Sequence, residues 1–362
     1  MTSPTTTTQN PPLLRLLNYG RAYRGRMIWA VICSILNKIF DLAPPILIGA
    51  AVDIVVNQQD SVLASFGFPE VRTQLWILAG ATLVIWSLES LFEYFLKILW
   101  RNLSQSIQHD LRLDAYGHIQ NLDMAYFEDQ STGGLMSVLN DDINQLERFL
   151  DIGANDLIQF LTTVLTVGGM FIYLTPSVAW MAILPMPFVF IGSWLFQKRI
   201  APRYLAMRDQ VSVLNGYLSN NISGIATIKS YTAESYESTR IREESDTYRQ
   251  KNESAIAISA AFVPVIRMII AIGFSAIMIG AGLLATEGAL NVGAYSVLVF
   301  MSQRLLWPLT RLGETLDQYQ RAMASTNRVI DLLQITPQIT DGPEKLPTQQ
   351  VKGEVIFNDV AF

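Results

Sequence analysis

Charge is scarce in this sequence. Asp, Glu, Lys and Arg make up 16% of its 362 residues, against about a quarter in an ordinary soluble domain. Apolar side chains take their place: half of the residues are hydrophobic and the mean hydropathy is +0.28, which puts the chain in the membrane class. Cysteine is almost missing. Cys33 stands alone within an apolar run, so no intrachain disulfide framework exists. Histidine is nearly as rare, and His109 and His118 with one distant thiol make no recognisable metal-ligand set. Basic stripes with interleaved aromatics are absent and the net charge is −5, which argues against nucleic acid as a partner. The start, "MTSPTTTTQNPP", lacks the basic-then-apolar order and cleavage site of a signal peptide. Residues 1–12 are therefore expected to form a disordered tail.

What is present is apolar length. Stretches near 27–56, 74–100, 141–174, 177–200, 255–285 and 291–312 each reach the roughly 20 residues a helix needs to cross about 30 Å of hydrocarbon. Arg15, Arg21, Arg24 and Arg26 precede the first stretch, and nine Lys or Arg from Lys198 to Lys251 separate the fourth from the fifth. Loop 57–73 has only Arg72, and 175–176 and 286–290 have no Lys or Arg. The positive-inside tendency then places both termini in the cytoplasm, and the chain is expected in the plasma (inner) membrane. The outer connections are short, whereas the chain runs from 74 to 173, and again from 177 to 285, without loop-like composition. If each is a helical hairpin, an arm of ~50 residues is ~75 Å long, and removing ~30 Å of bilayer leaves a stalk of ~45 Å. The hairpin tips fall near residues 124 and 231. The expectation is an all-α membrane protein with six long transmembrane helices and two cytoplasmic helical stalks.

The first tip reads "NLDMAYFEDQSTGGLMSVLNDD", with Tyr126-Phe127 just before a Ser131-Thr132-Gly133-Gly134 break that can start a helix. The second reads "NGYLSNNISGIATIKSYTAESYES", with Tyr231 among polar residues. Both resemble tips in the membrane domain of type I ATP-binding-cassette exporters. Tyr126, Phe127, Thr132, Gly133, Leu135, Ser137, Leu139 and Asp142 match the pattern "YF…xxTG-x-L-x-S-x-L-x-x-D" of that family. Gly224, Ile225, Ile228, Lys229, Ser230, Tyr231 and Glu234 match "G-I-x-x-I-K-S-[YF]-x-x-E". Leu305 to Leu333, with Pro308 and Arg328, is similar to its sixth-helix exit, and "LLRLLNYGRAYRGRM" to its interfacial elbow helix.

The resemblance implies the type I exporter fold, with 13–335 as the transmembrane domain of elbow and six helices. It implies that the tips are coupling helices docking on nucleotide-binding domains through Tyr126, Phe127, Glu128, Lys229, Tyr231 and Glu234. An exposed aromatic flanked by acids makes a suitable anchor for a partner pocket; the alternative is that these aromatics only pack the turns. The Pro- and Gln-rich 336–351 reads as a linker. Residues 352–362, "KGEVIFNDVAF", alternate like a strand and resemble the first, truncated strand of a nucleotide-binding domain. ATP and Mg would then be bound by that domain and not by residues 1–362. No P-loop occurs: "GIATIKS" at Gly224 to Ser230 is one residue short and has Ile228 where a glycine is needed.

Ionisable groups at membrane depth are functional candidates. Lys38 and Asp41, Glu89 and Glu93 with Lys97, and Arg267 lie in the spans. They either line a substrate cavity or neutralise one another, as Lys38–Asp41 and Glu93–Lys97 can by spacing, with Lys38 and Glu89 deep enough to meet across helices. Pro44-Pro45 marks a kink or a tolerated bend. Val167-Gly168-Gly169 and Ile279 to Leu284 are expected to mediate close helix packing. The functional expectation is the transmembrane half of an ATP-driven exporter of a lipid, peptide or amphipathic small molecule. Its partners would be a second transmembrane half, nucleotide-binding domains, membrane lipids and the substrate. The alternatives are an ion-coupled secondary transporter and a membrane receptor or scaffold that does not transport.

Overall fold

The computed structural model describes residues 11–337, Gly353 and residues 356–360. The first ten residues of the expected tail, most of the expected linker and five of the eleven residues of the expected terminal strand lie outside them. Among the described residues every regular element is a helix. Those described within the expected strand have no ladder partner, and Ile356, Phe357 and Val360 are exposed.

The chain opens with α1 (Pro12–Tyr19), a 3₁₀ turn, α2 (Arg24–Asp41) and α3 (Ala43–Asn57), followed by the one-turn α4 (Val62–Ser65). Pro44 and Pro45 fall in the first turn of α3, where a missing N–H costs nothing because that turn has no intrahelical acceptor. They set a helix start after the break at Leu42. Next come the 50-residue α5 (Val71–Gln120) and the short α6 (Met124–Asp129). A single helical run then contains α7 (Thr132–Ser137), α8 (Ile143–Arg148) and α9 (Ala154–Leu174), joined by π-helical turns at Val138–Asp142 and Phe149–Gly153. The remainder is α10 (Pro176–Ile183), α11 (Pro185–Ser223), α12 (Ile225–Ser230), the 53-residue α13 (Glu234–Thr286), α14 (Val292–Leu306), a 3₁₀ turn at Trp307–Arg311, and α15 (Leu312–Leu333).

Five helical runs are long and apolar enough to cross a membrane: Pro12–Asp60, Val71–Gln120, Thr132–Leu174, Pro176–Ser223 and Glu234–Thr286. They contain the first five expected spans. The sixth, at 291–312, is divided between the 15-residue α14 and the 3₁₀ turn. Pro308 has no N–H to continue the α ladder, so α14 alone covers only ~22 Å. The two long inner segments are helical hairpins, turning at α6 and at α12 as expected.

The chain divides into two compact units. One comprises residues up to 22, 104–148 and 321 onward. Its part of α5 buries Ile107, Leu111, Ala115 and Ile119 at four-residue spacing, a single apolar stripe. Arg15 on α1 reaches α15, donating to Asn327 at 3.0 Å, Asp331 at 2.6 Å and Gln334 at 3.1 Å.

The other unit comprises residues 23–103 and 149–320. Its main core joins Leu42, Phe171, Val178, Ile277, Leu298 and Met301 from α9, α10, α13, α14 and the α2–α3 break. Gly49 on α3 and Gly293 on α14 meet backbone to backbone. A Cβ on Gly49 would lie 2.7 Å from the Gly293 carbonyl oxygen and 2.3 Å from Val297. Next to this crossing, buried Asp53 accepts from Asn57 at 2.7 Å, the Val62 amide at 2.7 Å and Asn291 at 3.1 Å. The expectation for small residues is corrected here. Gly168 and Gly169 face open space, and Gly280 does pack, against Met181.

Candidate functional site: two hairpin tips and a polar intramembrane cavity

The first tip is held by short-range polar geometry. α5 stops at Gln120, residues 121–123 turn, and α6 carries Tyr126, Phe127 and Glu128. Tyr126 and Phe127 pack edge to face, with ring centroids 5.7 Å apart. Both are half-buried, whereas Met124 and Glu128 are exposed. Partial burial pushes the Tyr126 phenol above its ordinary pKa. The next helix starts at the expected break, where Ser131 Oγ accepts from the Gly134 amide at 3.0 Å and caps α7.

The second tip is different. Gly224 ends α11, α12 runs for six residues, and Thr232 takes a left-handed backbone, φ +46°. Lys229 Nζ lies 2.8 Å from Glu234 Oε1 across that turn and fastens it from outside. Tyr231 is left 78% exposed. The sequence that most nearly imitates a P-loop is this helix, so it provides no phosphate-cradling loop.

Asp142 and Arg328, 186 residues apart, both occur in the motifs that carry the family resemblance. The structure joins them. Arg328 grips the Asp142 carboxylate with Nε, at 2.8 Å, and with Nη2, and Ser325 Oγ donates to the same carboxylate at 2.8 Å. The fork geometry suits a planar carboxylate, and it holds the guanidinium pKa above its ordinary value. Asp142 is only 6% exposed and ends the first π turn. Arg112 and Gln108 both donate to Asn144 beside it, at 2.9 and 2.7 Å.

The intramembrane candidates do not form one cluster. Lys38 pairs with Asp41 at 2.7 Å, and Asp41 also takes Arg304 at 3.0 Å. Lys97 pairs with Glu93 at 2.6 Å on an exposed face. Glu89 meets α2 through its backbone carbonyl, which accepts from Asn37 at 3.0 Å, so the possible Lys38–Glu89 pair is replaced by the local one. Arg267 lies apart, its guanidinium 5.5 Å from the Trp307 ring centroid.

Sequence reading passed over the polar seam between α2 and α9. Trp100 donates to Ser34 at 2.9 Å, Ser34 to Asn155 at 2.8 Å, and Gln159 to Asn37 at 3.2 Å. This seam leads into a cavity of about 140 Å³ whose polar lining is Lys38, Asp156, Gln159, Thr163, Arg311 and Thr315. The signal was there in the sequence: Asp156 and Arg311 are ionisable residues inside expected spans, Asp156 near the middle of 141–174 and Arg311 at the end of 291–312. The fact that residues 156 and 311 share one wall is tertiary information.

Comparison with known proteins places these features in a common frame. The family model for the ABC transporter transmembrane region matches residues 27–309. The chain is 27% identical to the uncharacterized ABC transporter ATP-binding protein YknU of Bacillus subtilis, over 96% of this chain and 58% of the relative. It is 23% identical to the probable multidrug resistance ABC transporter ATP-binding/permease protein YheI of Bacillus subtilis, over 95% and 57%. It is 22% identical to the ATP-dependent lipid A-core flippase of Syntrophus aciditrophicus, over 96% and 56%. The chain therefore spans somewhat over half the length of these relatives.

Proposed function

Because this chain belongs to the ABC transporter transmembrane region family, we propose that it is the gate of an ATP-driven exporter and takes its power stroke through the two hairpin tips. It is a multi-pass membrane protein. Both termini and both tips face the cytoplasm, in keeping with the clustering of Lys and Arg in the inner segments. The membrane is the plasma (inner) membrane. Nucleotide-binding domains outside residues 1–362 bind ATP and Mg, and a second transmembrane half completes the translocation path. The cargo is a lipid, peptide or amphipathic small molecule.

The observation that carries this reading is the second tip. A side chain as apolar as Tyr231, exposed at the end of a polar hairpin beside the Lys229–Glu234 pair, is a knob without a socket among the described residues. Tyr126-Phe127 supplies a second, more embedded knob. Closure of the nucleotide-binding domains would push on both, and the long arms α5, α11 and α13 would carry the push to the membrane. Alternating access then needs only that the two states of the helices differ in their affinity for cargo.

In the full-length polypeptide, Tyr126→Ala and Tyr231→Ala should each retain membrane insertion and basal ATP turnover. Each should lose transport and cargo-stimulated ATP turnover by about tenfold, the effect of removing one anchoring aromatic from a partner pocket. Full stimulation and transport in both variants would refute the docking role.

A further inference from the structure

The cavity beside α9 contains two charges that its neighbours leave uncommitted. Lys38 is held by Asp41, and Asp41 is shared with Arg304. Asp156 and Arg311 line the same wall, and among the described residues neither takes part in an ion pair. A lone charge facing an apolar medium is costly unless something compensates it. Here there is one of each sign on the same lining. A ligand with a single charge would satisfy one and repel the other, whereas a ligand carrying both charges satisfies both.

Size and depth narrow the class further. Pockets that enclose a whole drug-sized ligand run from roughly 300 to 1,000 Å³. The volume here, about 140 Å³, holds only a small polar group. The rest of the wall is Leu157, Phe160 and Pro308, an apolar exit for a tail. Asp156 is the third residue of α9, which ends at Leu174. Those 18 steps span ~27 Å, so Asp156 stands close to one edge of a ~30 Å hydrocarbon layer. Headgroups lie at that depth.

We propose that this cavity receives the zwitterionic headgroup of an amphiphile, with its cation against Asp156, its anion against Arg311 and its tail along Leu157 and Phe160. Gln159, Thr163 and Thr315 supply neutral hydrogen-bonding groups around it. The inference rests on the exporter reading only in taking this occupant for cargo; the binding itself does not depend on it.

The test is equilibrium binding of tail-labelled fluorescent probes to the full-length polypeptide in maltoside micelles without nucleotide. The probes are lysophosphatidylethanolamine, an alkyl betaine, lysophosphatidylglycerol and an alkyltrimethylammonium. Both zwitterions should bind about tenfold more tightly than either singly charged probe, the scale of one charged hydrogen bond. A preference for the phospholipid over the betaine identifies a lipid source, and equal binding a broader class of amphiphile. Asp156→Asn should weaken the zwitterions but not lysophosphatidylglycerol. Arg311→Gln should weaken the zwitterions and lysophosphatidylglycerol but not the ammonium. The exchange Asp156→Arg with Arg311→Asp should restore zwitterion binding, which separates a charge role from loss of folding. Equal affinity for all four probes, a preference for one sign, or indifference to both substitutions overturns the proposal. Zwitterion binding without ATP-driven transport would refute the exporter function instead and leave this site standing.

Discussion

At the scale of the residue, helix packing depends on where a hydrogen replaces a methyl group. Gly49 and Gly293 allow α3 and α14 to touch through their backbones, which suits a membrane interior where close packing takes over from the hydrophobic effect. Gly49→Ala should lower the thermal unfolding midpoint of the purified protein, at a cost of about 1–3 kcal/mol, because a carbonyl oxygen cannot move aside. Gly169→Ala should leave the midpoint unchanged or raise it, since open space surrounds that position and alanine is the better helix former. Equal losses at both positions would mean that the crossing does not matter. The contrast also marks a limit of sequence reading. The pair Gly168-Gly169 looks like a packing motif because its glycines are adjacent in the chain, but Gly49 and Gly293 were invisible as a pair, being 244 positions apart. The Asp142–Arg328 fork is similar: both residues lay in recognisable motifs, and only folding shows that they hold each other.

At the scale of the element, the stalk pair α11–α13 is joined by polar contacts along its length. Gln210, itself buried, donates its amide to Glu244 and accepts from Lys251 at 2.8 Å. Further along, Asn221 donates to Glu237 at 3.0 Å and the Arg240 guanidinium lies 4.2 Å from the Tyr217 ring centroid. Gln210→Ala would leave two opposite charges without the neutral group that bridges them. The expected cost is about 1–3 kcal/mol, read as faster amide hydrogen exchange in 205–225 and 240–252 with the rest of α13 unchanged. Exchange unchanged in both segments would show that the apolar contacts suffice. Lengths, turns and the Ser131 cap of these hairpins were legible because period, composition and capping chemistry are local. The π turns around α8 were not, because an inserted residue leaves the apolar spacing almost intact. The 3₁₀ turn at Trp307–Arg311 follows from Pro308, yet the apolar run through it read as one span.

At the scale of the whole molecule, composition alone identified the membrane class, and the ordered motifs identified the family. The cavity escaped notice because its residues come from α2, α9, α15 and the 3₁₀ turn, a grouping that no linear pattern encodes. The proposed cytoplasmic position of the tips gives a direct expectation for labelling. Single cysteines placed at Glu128 and Thr232 should react with a membrane-impermeant maleimide only in inside-out vesicles, and cysteines at Phe66 and Glu287 only in intact cells. Cys33 is buried and should contribute little background. The reverse pattern would invert the orientation. A last consequence concerns biosynthesis. Arg15, near the start of the chain, donates to Asn327, Asp331 and Gln334, so these three bonds cannot form until more than three hundred further residues have been translated. Tyr19 can bond Asp114 on α5 well before that, so α1 is tethered in two stages, and closing the Arg15 latch reports that the last helix has arrived.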